Sequence, residues 1–211
     1  MTTPGAEVAG LRLYSSATSP FVRKVLVVLR ETGLLDQVEL VPAGGNPVDP
    51  GTMPVARNPL GKIPALERAD GPAIYDSRVI CRYLDELAKS ALYPPARLWD
   101  TLTLEATADG IMEAAVLTRY ETMLRPEAAR SAPWIDGQRA KITRALDALE
   151  GRWMAHLAGP LDCGQIAVGC ALGYLDFRLG DLGWREGRAD LAAWEARFAE
   201  RPSMRETVPA D

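Results

Sequence analysis

Three short stretches in the first ninety residues combine residue types that can grip an anion, a peptide backbone and a charged amino-acid end. The first is Thr18-Ser19-Pro20. A serine directly before a proline is a strong helix start: the hydroxyl can accept from the first free backbone amides, and proline suits the first helical position. The same helix terminus offers amides and a partial positive charge to an anion. A hydroxyl placed there can hydrogen-bond a thiolate and lower its pKa. Arg23 and Lys24, one turn on, add positive field, although charges on a solvated face are the commoner explanation of such a pair. The second stretch is Asn58-Pro-Leu-Gly-Lys-Ile-Pro-Ala-Leu66, read as running into a strand that carries a proline. Proline removes a ladder donor and belongs at an edge or a bend. A cis Ile63–Pro64 bond would turn the Ile63 amide and carbonyl outward, open to pair with a ligand backbone. The third is Asp76-Ser77 ahead of an apolar helical pattern, which is either a plain cap or a nest in which Ser77 holds a carboxylate while Asp76 pairs with an ammonium.

The elements that must position these stretches follow from periodicity. Leu11 to Tyr14 alternates as a strand, and Pro20 to Gly33 places Phe21, Val25, Val28 and Leu29 at helical spacing. Val38 to Val41 is a second strand, and Pro42 to Asn58 is rich in Gly, Pro and Asn and reads as loop. Lys62 to Glu67 and Ala73 to Tyr75 are further strands, and Val79, Ile80, Tyr83, Leu84 and Leu87 share one helix face. The order β-α-β, loop, β-β-α calls for a small mixed sheet with helices on it. Ser90 to Arg97, with Tyr93-Pro-Pro95, reads as a linker. Beyond it the pattern is helical throughout: Leu98 to Leu124, Ile135 to Leu157, Ile166 to Leu179 and Leu191 to Glu200, a helical bundle.

Composition removes several chemistries. The chain has 211 residues, 47% of them hydrophobic and 25% charged, the balance of an ordinary globular protein. A net charge of −4 invites neither nucleic acid nor an anionic membrane. One histidine, His156, leaves little room for a histidine triad or a histidine-based metal site, and no metal is expected. Set apart in sequence from the three stretches, His156 reads as a surface or interdomain residue. Cys81, Cys163 and Cys170 form no CxxC and sit in helical patterns, which points to free buried thiols in a reducing compartment. Met1 to Gly10 lacks the basic start and apolar core of a secretory leader. No apolar run approaches the roughly 18 residues of a membrane span. A cytoplasmic protein is expected.

Taken in this order, the stretches at Ser19, Pro64 and Asp76-Ser77 resemble the N-terminal half of the glutathione S-transferase family, and within it the small bacterial YibF-like transferases. The resemblance continues through Ala106 to Met112 and through Leu161-Asp-Cys-Gly-Gln-Ile-Ala167 into Cys170 to Arg178. There Asp162 and Gln165 stand where the family carries a capping box, and both suit those places chemically. The resemblance implies a thioredoxin-like α/β domain over residues 9–90, a linker over 91–97 and an all-helical domain over 98–211. It implies glutathione as co-substrate: Asp76 and Ser77 on the γ-glutamyl end, Lys62, Ile63 and a cis Pro64 along the cysteinyl segment, and a loop hydroxyl at the sulfur. Family classes use Tyr, Ser or Cys in that loop. Ser15, Ser16, Thr18 and Ser19 compete for the role, with Ser19 standing where cysteine-type members carry their cysteine. Tyr14 reads as packing.

The implied activity is attack of the glutathione thiolate on a small hydrophobic electrophile, or reduction of a peroxide. Without a loop cysteine, thiol exchange through a mixed disulfide is disfavoured. The same fold also serves non-catalytic interaction proteins and isomerases of the maleylacetoacetate kind, and family members are usually homodimers. Met112, Val116 and Tyr120 are at helical spacing, suited equally to an electrophile pocket and to a core.

Overall fold

In β1 (Leu11–Ser15), Leu11 and Leu13 are buried while Arg12 and Tyr14 are half-buried, the alternation of a strand with one covered face. The structure, a computed structural model, describes residues 10–211; the reading of the N-terminus as leaderless and the start of the first domain at residue 9 lie outside the described residues. After β1 the chain forms α1 (Pro20–Glu31) and returns as β2 (Val38–Pro42), which pairs with β1 in parallel, Leu11 opposite Val38. A parallel return needs a crossover, and α1 supplies it. β3 (Ala65–Arg68) pairs antiparallel with β1, and β4 (Gly71–Ile74) antiparallel with β3, giving the order β2-β1-β3-β4. α2 (Ser77–Ala88) then packs on α1. Leu13, Leu66, Val25, Val28, Ile80 and Leu84 are fully buried, the core of a sheet with one helix-covered face. The strand expected from Lys62 begins only at Ala65, so Pro64 precedes the ladder and removes no hydrogen bond from it.

The chain divides into two compact units between Ser90 and Ala91. The second opens with the segment read as a linker, which is packed into that unit. Leu92 and Tyr93 are buried, the Leu92 carbonyl accepts the Cys163 amide at 2.9 Å, and the Tyr93 hydroxyl donates to the buried Glu105 carboxylate at 3.0 Å. Its prolines hold it to a single 3-10 turn over Pro95–Arg97, yet its apolar side chains still require burial. α3 (Leu98–Leu124) packs on α4 (Ala132–Ala148) and on α6 (Cys163–Arg178). The helix expected to run unbroken to Leu157 loosens into a π-helical turn over Leu149–Trp153 before α5 (Met154–Leu157). α7 (Ala189–Phe198) and α8 (Pro202–Arg205) complete the unit.

α6 is buried along most of its length, as its apolar composition on every side demands. Gly164 lets it approach α3: a Cβ there would stand 3.0 Å from the Thr101 carbonyl oxygen. Its start is held by a reciprocal box. The Gln165 amide donates to Asp162 Oδ1 and the Asp162 amide to Gln165 Oε1, both at 3.1 Å. The other Asp162 oxygen, Oδ2, takes Thr101 Oγ1 at 2.9 Å and lies 2.6 Å from His156 Nε2. His156 is therefore tied into the second unit's interior and is no surface group: a buried carboxylate needs partners, and the turn after α5 brings the imidazole to it.

Candidate functional site at one end of the sheet

Strand register brings the three stretches together. Tyr14 near the end of β1 lies opposite Ala65 at the start of β3, so the Ser15–Ser19 loop and Ile63–Pro64 share one end of the sheet. β4 runs antiparallel to β3, hence parallel to β1, and its last residue Ile74 leads into Asp76 and Ser77 at that same end. Both helix N-termini, α1 at Ser19 and α2 at Asp76, open there. Two sets of free amides and two partial positive charges are therefore presented together.

Ser19 Oγ accepts the Val22 amide at 3.3 Å, closing α1. Acting as an acceptor leaves its hydroxyl proton available to a second partner, so capping and ligand binding are compatible. Ser16 Oγ and Thr18 Oγ1 are 3.1 Å apart and satisfy one another with one proton of the pair, and the Thr18 amide leans on Ser16 Oγ at 3.4 Å. Tyr14, read as packing, donates its hydroxyl to Glu67 Oε2 at 3.0 Å, and Arg57 pairs with the same carboxylate. Arg23 and Lys24 are buried, against the expectation of a solvated face.

The Ile63–Pro64 bond is cis, as is Tyr75–Asp76. Lys62 is exposed, Ile63 half-buried and Pro64 buried. A residue to which the sequence reading gave no role organises this stretch. Buried Asn58 donates Nδ2 to the Lys62 carbonyl at 2.8 Å and accepts the Leu60 amide on Oδ1 at 3.0 Å. Between them Gly61 turns with φ +60°, a conformation that favours glycine. The signal was an Asx-type turn, Asn two residues ahead of an amide it can bond.

Asp76 caps α2 by accepting the Arg78 amide at 3.0 Å, and its Oδ2 meets Arg78 Nη2 at 2.8 Å. Partial burial pushes the Asp76 carboxyl up, but the Arg78 hydrogen bonds and charge, with Lys24 adding, outweigh it and hold the group below its ordinary 3.8. Asp76 is thus an anion whose side chain remains 53% exposed, while Ser77 is buried. Of the residues considered for an electrophile pocket, Met112 is fully buried core, and Val116 and Tyr120 are half-buried.

Family models for the N-terminal and C-terminal domains of glutathione S-transferases match residues 18–87 and 132–197. The chain is 34% identical to the uncharacterized GST-like protein YibF of Escherichia coli K12, over 94% of this chain and 98% of that one. The chain belongs to the glutathione S-transferase family. A glutathione transferase family member from Pseudomonas fluorescens Pf-5 shares its fold with a TM-score of 0.92 at 48% identity, over 96% of this chain and all of that one, and was crystallised with bound glutathione. A second crystal structure, covering 95% of this chain and all of its own with a TM-score of 0.89 at 48% identity, holds S-(propanoic acid)-glutathione. The small mixed sheet followed by a helical unit is the transferase fold, and its first unit is thioredoxin-like.

Proposed function

We propose that the chain binds glutathione at the end of its sheet and activates the thiol for attack on a small electrophile. The observation that carries this reading is the register, which sets a hydroxyl at a helix start, a backbone segment before cis Pro64 and an acid–hydroxyl pair at a second helix start along one edge. Glutathione presents a thiol, a cysteinyl backbone and a γ-glutamyl end bearing an ammonium and a carboxylate, a complementary part for each. Asp76 pairs with the ammonium, and the Ser77 hydroxyl and amide take the carboxylate. Lys62, Ile63 and Pro64 line the cysteinyl segment, with the Ile63 main chain pairing with that of the ligand. Ser19 donates its hydroxyl to the sulfur, with Thr18 and Ser16 as the other loop hydroxyls in reach. Glutathione bound in the Pseudomonas relative, and a ligand whose sulfur carries a propanoic acid, support both the ligand and chemistry at sulfur.

A free thiol of this kind is only a few per cent ionised near pH 7. Lowering its pKa by one unit takes roughly 1.4 kcal/mol, within reach of one hydrogen bond to a charged group and a helix terminus. With 1-chloro-2,4-dinitrobenzene the thiolate forms the carbon–sulfur bond, chloride leaves and the thiol proton passes to solvent. No enzyme base is required. The three cysteines are buried, which favours this chemistry over exchange through an enzyme disulfide. The protein is expected to act as a homodimer in the cytoplasm; among the described residues no helix is long and apolar enough to cross a membrane. The test is retention on immobilised glutathione with release by free glutathione, followed by conjugation kinetics. Ser19→Ala should lower kcat/KM about tenfold at neutral pH while retention survives, because a smaller fraction of the bound thiol is then ionised and the ligand's other contacts remain. Unchanged kinetics would move the role to Thr18 or Ser16, and failure to be retained would favour a non-catalytic interaction protein.

A further inference from the structure

Near the end of α6, the Arg178 side chain is largely enclosed, and its guanidinium lies 3.7 Å from the centroid of Phe177. Its fork holds a carboxylate: Nη2 meets Asp211 Oδ1 at 2.6 Å and Nη1 meets Oδ2 at 3.2 Å. The two partners differ sharply in setting. Arg178 is 14% exposed at its side chain and fixed on a buried helix, whereas Asp211 is 74% exposed and follows α8 on a stretch without regular structure. The receptor is built in and the occupant is not.

The surroundings are those of an anion site with aromatic walls. Tyr174, one turn back on α6, is buried, and the Arg178 charge bears on its hydroxyl. Burial keeps its hydroxyl titrating above the ordinary phenol range, against the pull of Arg178 and Arg119, and burial does the same for Tyr120 on α3. Both phenols therefore stay protonated at neutral pH and can donate to an anion, while Arg119 adds a second positive charge that reaches both Asp211 and Tyr174. Bidentate arginine, neutral phenol donors and flat apolar rings suit a carboxylate attached to an aromatic body.

We propose that Arg178, flanked by Arg119, Tyr174, Tyr120 and Phe177, is a recognition site for the carboxylate of a small aromatic acid, and that Asp211 is its internal competitor. With the Asp211 carboxylate largely in solvent, the pair supplies little net stability, so an incoming acid with aromatic contacts of its own displaces it. Asp211 then sets a threshold: it keeps the arginine from weak anions such as acetate and yields to acids that also stack.

The test uses the full chain, with 4-chloro-3-nitrobenzoate as probe and 4-chloro-3-nitrobenzamide as its uncharged counterpart, binding being read by calorimetry without glutathione. The acid should bind and the amide should not. Asp211→Asn should tighten the acid roughly two- to fivefold, the span an exposed ion pair supplies. Arg178→Gln should weaken it about tenfold or more, Arg178→Lys less, because lysine keeps the charge and loses the fork. Tyr174→Phe, which preserves the packing, should also weaken the acid. Equal binding of acid and amide, no binding of the acid, or an unchanged affinity in Arg178→Gln or Asp211→Asn would overturn the proposal. Adding glutathione then separates two sources of the ligand: an acid consumed with release of chloride is a second substrate, and one that binds without turnover is a separate ligand. Because binding is read without glutathione, failure of the transferase reading leaves this result standing.

Discussion

Asp76 does two jobs with one carboxylate, and they can be separated. As the N-cap of α2 it needs only an oxygen acceptor, which asparagine also provides. As the proposed partner of the glutathione ammonium it needs charge. Asp76→Asn is therefore expected to lower the urea midpoint only slightly, by the small worth of the exposed Arg78 pair, and to weaken glutathione about tenfold or more, the worth of a hydrogen bond to a charged group; calorimetry and denaturation on the same variant check this. The pH dependence follows from the direction of its pKa. Because Arg78 and Lys24 hold the folded carboxyl below 3.8, the ion persists through mild acid. Its contribution to stability and binding is present above the unfolded value and is lost only as pH falls through the lower folded one. Glutathione affinity should accordingly be flat on this account from pH 7 to about 4.5. The two caps were legible in the sequence, because capping is a rule about neighbours. The Arg78 pairing, the buried Lys24 and the Asn58 bridge were not, because burial and partner choice depend on how the chain comes back on itself.

At the scale of elements, the start of α6 concentrates more polar bonding than any single helix propensity suggests. Asp162 caps the helix and also accepts from Thr101 and meets His156, while the Gln165 amide nitrogen donates to the carbonyls of His156, Leu157 and Gly159 at 3.0 to 3.1 Å. Asp162→Ala removes the cap and strands these donors in the interior, and is expected to cost about 3 kcal/mol or more. Asp162→Asn, which keeps the cap and loses the charge, should cost less. Denaturant unfolding followed by circular dichroism gives both numbers. The capping box itself could be read from Asp162 and Gln165 because both partners lie within one turn. The π-helical turn at Leu149–Trp153 could not: apolar periodicity continues across it, and only packing against neighbouring helices decides where an extra residue is accommodated. Likewise the apolar neighbours of Pro64 continue a strand pattern through it, although the ladder starts one residue later.

For the whole molecule, the division into two units coincides with an uneven distribution of reporters. All five tryptophans, Trp99, Trp134, Trp153, Trp184 and Trp194, lie in the second unit, while the proposed glutathione site lies in the first. Glutathione at a hundred times its Kd should stabilise its unit by about 2.7 kcal/mol, a rise of roughly 10–20 °C in that unit's transition seen by circular dichroism. At the same concentration the rise should fall to about half or less in Asp76→Asn, whose tenfold weaker binding leaves about 1.4 kcal/mol. Tryptophan fluorescence recorded alongside shows whether the second unit follows the first. The lone imidazole extends this. Its ring sits 2.6 Å from Asp162, at the junction of α5 with α6. In a proton NMR spectrum of unlabelled protein it would contribute one isolated pair of carbon-bound ring signals, with no other histidine to confuse the assignment. A titration of glutathione that moves those signals would register, at a single atom group and without any engineered probe, that an event at the sheet end had been felt inside the helical unit.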